Sequence, residues 1–406
     1  MATPLDLVVF GATGFTGRLV AEYLHSTLGA GRGLAWGLAG RDPDKLAKVR
    51  DDIGADASLP LLTADATDAA ALAALVRRTR AVITTVGPYQ RHGEVLVRAC
   101  AAAGTDYVDL CGEPPWMARM IRELDPPARA SGARIVFSCG FDSIPFDLGV
   151  VFLQHEAQRR LGVPLRRVGT RVKSIRGGLS GGTAASALAT FEAAAHDPAQ
   201  ARAMADPFAL TPGFHGPAQP DGEGAVFDEL SQSWTGPFMM AAINTKNVHR
   251  TNALRGHPWG RDFEYDERVL TGSGLAGAAR AQLLAQAGRA QSALLGIAPL
   301  RDFVGRFMLP QPGQGPNRQQ REAGHYVIDI IGLSADGRRL QAQVRGDRDP
   351  GYVSSSKMIA ESALCLLEDM PRALTAGGVW TPGAAMGLAL VRRLQANAGL
   401  TFQIVD

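Results

Sequence analysis

The first third of the chain switches repeatedly between two hydrophobic periods. Leu5–Phe10 (LDLVVF) is a short apolar run with β-branched residues, ended by Gly11, and predicts a buried strand. Past the turn, Val20, Tyr23, Leu24 and Leu28 recur at helical spacing. Leu34–Ala39 is a second strand-like run ending in Gly40-Arg41. Asp42-Pro43 then offer an N-cap and a proline at the first helical position, which predicts a helix to about Ile53. Pro60–Ala64 reads as the third strand, with Thr67-Asp68 opening a helix, and Ala81–Val86 as the fourth, closed by Gly87-Pro88. Val95, Leu96, Ala99, Cys100 and Ala103 form a helical face between that strand and two more, Tyr107–Cys111 and Arg134–Cys139. Regular alternation of strand and helix predicts an α/β fold with a doubly wound parallel sheet over residues 1–150.

After about residue 150 the pattern changes. Segments 200–225 and 310–320 are rich in Pro, Gly and polar residues and read as loops. Tyr326–Gly332 and Arg339–Arg345 flank Ala335-Asp336-Gly337, a hairpin signal that implies antiparallel pairing. Further strands are expected around 165–175 and 225–250, and helices over Val353–Asp369 and Ala384–Leu394. The expectation is an inserted α+β domain over 151–350, containing an antiparallel sheet and serving substrate binding or dimerisation. Helices of 351–406 would then pack back on the first domain.

Composition narrows the class. The chain has 406 residues, enough for two domains, and 46% hydrophobic with 20% charged residues suits a soluble globular protein. A net charge of +3 without a basic run argues against a nucleic-acid partner, and only five of the 42 basic residues are lysines. The four cysteines lie in apolar surroundings without a CxxC pair, so buried free thiols are expected. Eight histidines without HExxH spacing or a His/Cys cluster suggest no metal. No signal peptide and no membrane-spanning run is recognisable, which predicts a cytoplasmic protein.

Gly11-Ala12-Thr13-Gly14-Phe15-Thr16-Gly17 joins the first strand to the first helix. In a Rossmann domain such a turn binds a dinucleotide. Gly11 permits the turn, Gly14 lets a diphosphate approach the backbone, and Gly17 lets helix and sheet pack closely. The helix N-terminus adds free N–H groups and positive dipole for the phosphates. The GxxGxxG spacing is common among NADP-preferring enzymes. Arg41 stands where NAD-binding folds usually carry an acid for the ribose, and its guanidinium suits a 2′-phosphate. These features favour NADPH over NADH. The competing assignment makes Asp42 the ribose acid, although Asp42 before Pro43 is better explained as a cap. Lys45 either adds to the phosphate site or is solvated; Asp65 either lies at the adenine edge or caps the next helix.

Gly87-Pro88-Tyr89 follows the fourth strand, where the carboxyl edge faces the nicotinamide half of a dinucleotide. Tyr89 is a candidate proton donor there, or a packing residue. Asp109-Leu110-Cys111-Gly112-Glu113 ends the fifth strand and Ser138-Cys139-Gly140-Phe141-Asp142-Ser143-Ile144-Pro145 the sixth. Gly112 is a candidate for cofactor contact. Turn chemistry alone could also account for both runs.

GATGFTG, AGR, VGPYQRHGEVLVRAC, DYVDLCGE and SCGFDSIPFDLG, in this order, resemble the saccharopine dehydrogenase-like oxidoreductases. Within them the chain looks most like the mycobacterial-type trans-acting enoyl reductases and their lipid-droplet-associated eukaryotic relatives. SGGTAAS from Ser180, PLRDFVGRFMLPQPGQGP (299–316) and DPGYVSSSKMIAESALCLL (349–367) fit the same group. The likeness is specific over 7–150 and poor over about 195–275. It implies a Rossmann domain, an inserted mixed domain, NAD(P)H chemistry and an enoyl-reductase role in complex-lipid synthesis. It does not imply saccharopine as substrate, because no set of arginines and lysines for a tricarboxylate product can be matched.

The leading expectation is therefore reduction of an α,β-unsaturated acyl group, free or carrier-bound. Tyr89, Asp142 and Ser143 are candidates for catalysis, with backbone N–H groups near Gly140 as oxyanion donors. The alternatives are an imine or amino-acid dehydrogenase of saccharopine type, and a non-catalytic NADPH-sensing or lipid-surface protein. An arginine-lined pocket would favour the imine reading and an apolar one the enoyl reading. Residues 275–309 carry Leu283, Leu284, Ala287, Ala290, Leu294, Leu295 and Ile297, then Leu300, Phe303, Val304, Phe307, Met308 and Leu309, punctuated by Arg280, Arg289, Arg301 and Arg306. That pattern is either core or an amphipathic surface that lies on the inner face of a membrane or covers an acyl chain. A homodimer is the remaining partner expectation.

Overall fold

The computed structural model describes residues 4–28, 33–178, 180–297, 299 and 315–405. Two seven-stranded sheets organise them. The first contains β1 (Leu5–Phe10), β2 (Trp36–Gly40), β3 (Leu61–Thr63), β4 (Thr79–Thr84), β5 (Asp106–Val108) and β6 (Arg134–Val136), all parallel. Helices α1 (Phe15–Leu28), α2 (Pro43–Asp52), α3 (Ala69–Val76), α4 (Tyr89–His92), α5 (Glu94–Ala103) and α6 (Pro114–Ser131) connect them. The caps form as the sequence predicts. Asp42 accepts from the Lys45 N–H at 3.0 Å, and Asp68 accepts from Ala70 and Ala71. β1 is buried on both faces, as its apolar run from Leu7 to Phe10 requires, with Leu7 opposite Trp36 on one side and Ala81 on the other. The chain order reverses at β1 and β4, and a doubly wound sheet opens its ligand crevice at such a point.

A long buried helix, α7 (Ile144–Leu161), leads to the second sheet. That sheet holds β7 (Leu165–Arg176), β8 (Val226–Asp228), β9 (Ser233–Pro237), β10 (Glu264–Gly272), β11 (His325–Ser334) and β12 (Arg339–Gly346). It is mixed. β10 runs parallel to β7, whereas the other pairs, including the β11–β12 hairpin, are antiparallel. Helices α8 (Gly181–His196), α9 (Pro198–Ala205), α10 (Ala241–Leu254) and α11 (Gly274–Gly296) belong to its connections. The C-terminal region serves both sheets. β13 (Gly378–Trp380) extends the first beside β6, β14 (Leu400–Val405) extends the second beside β12, and helix Ser355–Glu368 packs on α1.

Three expectations change here. The strand expected across 225–250 is two short strands followed by α10, whose Asn244, Lys246, Asn247, His249, Arg250, Thr251 and Asn252 are all buried. A helix enclosed on every side carries no amphipathic stripe, so its period is hidden in the sequence. The 310–320 loop ends in a short helix, Arg318–Glu322, set by a capping box between Asn317 and Gln320; residues 310–314 fall outside the described range. On α11 the buried stripe is Gly277, Ala281 and Ala285, while Leu283, Ala287, Ala290, Leu294 and Ile297 face outward. These outward positions of the apolar pattern are therefore not core, whereas Leu284 is half-buried against Gly236 of β9. Residues 298 and 300–314, which carry the rest of it, lie outside the described residues. All four cysteines are free and buried.

The second sheet is pinned by a buried ion cluster. Arg171 is clamped by both Asp228 oxygens at 2.9 Å and by Asp266 at 3.1 Å. Burial pushes the Asp228 carboxyl up, but Arg171 and Ser231 overcome it and hold it down at about 2. That group's contribution is present above its ordinary value of 3.8 and is lost as pH falls toward about 2. Arg171→Met leaves the buried Asp228 carboxylate without a cation and Asp266 with Arg268 alone, and should cost about 3–5 kcal/mol in urea unfolding at neutral pH. An unchanged midpoint would show that the cluster does not hold the sheet.

Candidate functional site

The glycine-rich turn leaves β1 at Gly11, which has φ +87°, and α1 starts at Phe15. A Cβ on Gly17 would stand 2.1 Å from the Gly11 carbonyl oxygen, so helix and turn are in direct backbone contact. A Cβ on Gly14 would meet only that same oxygen, at 3.3 Å, and Thr13 and Gly14 are exposed. The turn therefore presents open backbone at the head of a helix, which is what a diphosphate needs. Phe15 and Thr16 begin α1, and Phe15 lies edge-on to Tyr352 with ring centroids 4.8 Å apart.

Beyond the ends of β2 and β3 lies a cavity of about 580 Å³, lined by Arg41, Asp42, Pro43, Thr63, Asp65 and Asp68 among others. It is an open groove at the end of β2, lined by none of the turn residues. Arg41 is exposed at it, free to meet an anion. Asp42 spends one carboxylate oxygen on its cap. Lys45 does not line the cavity; its ammonium lies 3.5 Å from the Asp42 carboxylate. Asp65 accepts from both the N–H and the hydroxyl of Thr67, and these bonds hold its carboxyl below the usual range. It both lines the cavity and caps the following turn.

The carboxyl ends of β4, β5 and β6 bring Gly87, Pro88, Gly112 and Asp142 to one edge, faced by α8 and α10. Ser186 of α8 lies nearest Gly87 after Tyr89, and Ile243 of α10 lies nearest Gly112. The three candidate catalytic residues separate sharply. Tyr89 is 4% exposed; its hydroxyl donates to the Thr84 carbonyl at 3.2 Å and accepts from the Leu110 N–H at 3.0 Å. It packs there and braces two strand ends, its hydroxyl engaged on both sides. Ser143 is fully buried, donating to Asn244 and accepting from Asn247. It ties the edge to α10. Asp142 alone keeps some exposure, and burial of most of its surroundings pushes its carboxyl up to about 6 against a hydrogen bond from Thr183. Three of the N–H groups around Gly140 are spoken for. Cys139, Phe141 and Ser143 N–H groups already donate to Asp109, Ser355 and Gly140, and Leu110 crowds Gly140 itself.

Two acids at this edge prove structural. Asp109 accepts from Tyr107, Cys111 and Ser138 and joins the ends of β5 and β6; burial pushes it up to about 7. Glu113, buried, accepts from the Tyr89 and Gln90 N–H groups and from Ser186. It fixes both the turn after β4 and the approach of α8. Its role was masked in the sequence because Cys111-Gly112-Glu113 reads as an ordinary turn. Gly14→Val leaves room for the fold but fills the diphosphate position, so both NADPH and NADH binding should fall below detection in fluorescence titration. Normal binding by a folded variant would place the dinucleotide elsewhere.

Comparison with known proteins agrees with this geometry. Residues 7–136 match the saccharopine dehydrogenase NADP binding domain. A Mycobacterium tuberculosis protein provisionally named a trans-acting enoyl reductase is 41% identical, with 99% of this chain and 98% of that protein covered. A Mycobacterium bovis trans-acting enoyl reductase is 38% identical over 96% and 95% of the two chains. The solved saccharopine dehydrogenase (L-Glu forming) of Saccharomyces cerevisiae shares the fold, with a TM-score of 0.58 and 12% identity, covering 99% of this chain and 100% of that one. A match to an NADP-binding domain, a second mixed sheet and full-length identity of this order lead to one conclusion: the chain belongs to the saccharopine dehydrogenase-like NADP(H)-dependent oxidoreductases, in the family of the trans-acting enoyl reductases.

Proposed function

We propose that the protein is an NADPH-preferring enoyl reductase that saturates an α,β-unsaturated acyl thioester, with Asp142 as the proton donor. The observation that carries this reading is that Asp142 is only half-buried at the carboxyl edge, beside two candidates that are sealed and hydrogen-bonded. NADPH held on the turn supplies a hydride to the β-carbon, and the α-carbon then requires a proton. A carboxyl raised to about 6 keeps that proton in mildly acidic solution, where an ordinary aspartate has lost it, and Thr183 hydrogen-bonds it. Leu110, Thr183, Ser186 and Ile243 surround this edge with apolar and hydroxyl groups. Such a lining suits an acyl chain better than the charged product of an imine dehydrogenase. Support for the 2′-phosphate comes from Arg41 at the mouth of the groove beyond β2 and β3.

The thioester assignment is tested by steady-state NADPH oxidation with 2-enoyl thioesters of increasing length, against 2-oxo acids plus amines. Turnover with the thioesters alone is expected; turnover with oxo acid and amine alone would replace this reading by the imine one. Because the acid must be protonated, kcat should fall as pH rises through about 6, and Asp142→Asn should remove that limb along with most of the activity. A pH profile identical in the variant would dismiss Asp142. Arg41→Ala should weaken NADPH by roughly tenfold or more and leave NADH nearly unchanged. Equal loss of both would contradict phosphate reading.

The outward stripe of α11 supports peripheral contact with an anionic membrane. Leu275 and Leu283 are 91% and 72% exposed, with Arg280 and Arg289 exposed on the same helix. Among the described residues no helix is long and apolar enough to cross a membrane. Low-salt co-sedimentation with anionic vesicles is expected, reduced by Leu283→Ser with Leu294→Ser. Background sedimentation, or a concentration-dependent dimer lost in the same variant, would assign the stripe to a protein contact instead.

A further inference from the structure

A smaller cavity, about 250 Å³, opens beside the glycine-rich turn. Thr13, Gly14 and Phe15 of the turn line it, with Arg18 and Glu22 of α1 and one residue from far along the chain, Arg321. Arg321 sits in the short helix Arg318–Glu322, just before β11. Its position is fixed at several points. The capping box sets the helix, the Arg321 carbonyl accepts from the Asp349 N–H at 3.1 Å, and the guanidinium carbon lies 5.3 Å from the centre of the Phe15 ring. Its Nε is buried and has no hydrogen-bond partner among the described residues.

The neighbouring charges are largely committed. Arg18 pairs with Asp52, and Arg318 pairs with Glu322 at 2.8 Å. Glu22 is the cavity's own carboxylate, and Arg318 is the cation that bears on it. Arg321 therefore brings to the turn a guanidinium with an unused buried donor, held over an aromatic face. A planar fork in that condition suits paired phosphate oxygens. The stacking on Phe15 limits its swing and so lowers the entropy lost on binding.

The geometry points to Arg321 as a cofactor-binding residue, a guanidinium carried by the second sheet's connection that holds the dinucleotide's diphosphate against the glycine-rich turn. The inference rests on the turn being the dinucleotide site and is independent of which substrate is reduced. It gives the second sheet a direct stake in cofactor binding, since the same connection leads through Asp349 and Tyr352 to the N-terminus of α8. There the Gly181 N–H donates to the Tyr352 hydroxyl at 3.0 Å.

Titrating Arg321→Ala and Arg321→Lys with four probes tests this. NADPH, NADH and 2′-phospho-ADP-ribose all carry the diphosphate; adenosine 2′-monophosphate carries only the 2′-phosphate. Arg321→Ala should weaken the first three together by about tenfold to a hundredfold and leave adenosine 2′-monophosphate unchanged, with Arg321→Lys in between. Unchanged affinity for the dinucleotides would overturn the assignment. So would parallel loss of adenosine 2′-monophosphate, which signals a general disturbance of the fold, or loss confined to NADPH. Should Gly14→Val bind dinucleotides normally while Arg321→Ala does not, the turn reading fails and takes this inference with it.

Discussion

The backbone contact between Gly17 and the Gly11 carbonyl is the constraint on which the cofactor half of the structure depends. It brings α1 as close to the end of β1 as two backbones can come, and only a residue without a Cβ allows it. Because β1 is central, with β2 and β4 in fixed parallel register on either side, the head of α1 is placed relative to every other strand end. The groove at β2–β3 and the reaction edge at β4–β6 then fall on opposite sides of one turn. The proposed dinucleotide would be laid across it.

The reaction edge is joined to the second sheet through buried polar groups rather than through apolar packing alone. Ser143 bonds Asn244 and Asn247 of α10; Asn244 donates to Glu267 of β10 at 2.9 Å; Tyr265 donates to Glu267 and accepts from the Thr170 hydroxyl of β7. Burial pushes Glu267 up to about 8, against the hydrogen bonds from Tyr265 and Asn244. Such a network is costly unless every member is satisfied, and satisfied it admits one arrangement. On the other side, Glu113 binds Ser186 and so sets the distance between α8 and the turn after β4. Asp142 and Thr183 meet between these two fixed walls.

Much of this was legible in the sequence, for reasons that differ by element. Strands buried on both faces and helices with one buried stripe declare their periods, so β1 to β6 and the caps at Asp42 and Asp68 could be read directly. The β11–β12 hairpin announced itself through Asp336-Gly337. β10 did not, because its Asp266, Glu267 and Arg268 are charged residues buried in ion pairs and hydrogen bonds, and charge inside a strand defeats the alternation rule. β13 is three residues whose strand character comes from pairing with β6. β14 did carry a signal, since Leu400 and Phe402 are buried while Thr401 and Gln403 are exposed, in strict alternation. At the site, glycine spacing and the position of Arg41 were readable because backbone geometry demands them. The fates of Tyr89 and Ser143 were not, since a hydroxyl's partner is a matter of tertiary contact. Arg321 was invisible for the same reason, being brought to the turn only by the fold.

The central claim is that one turn delivers a hydride to an acyl substrate while a carboxyl at the opposite edge delivers a proton. It is tested most directly by running the reaction with NADPH deuterated at the transferable position, in ordinary water, on a 2-enoyl thioester. The account predicts product with deuterium at the β-carbon and a solvent-derived proton at the α-carbon. Deuterium absent from the thioester product, or appearing only on the nitrogen-bearing carbon of an amino acid formed from oxo acid and amine, would contradict it.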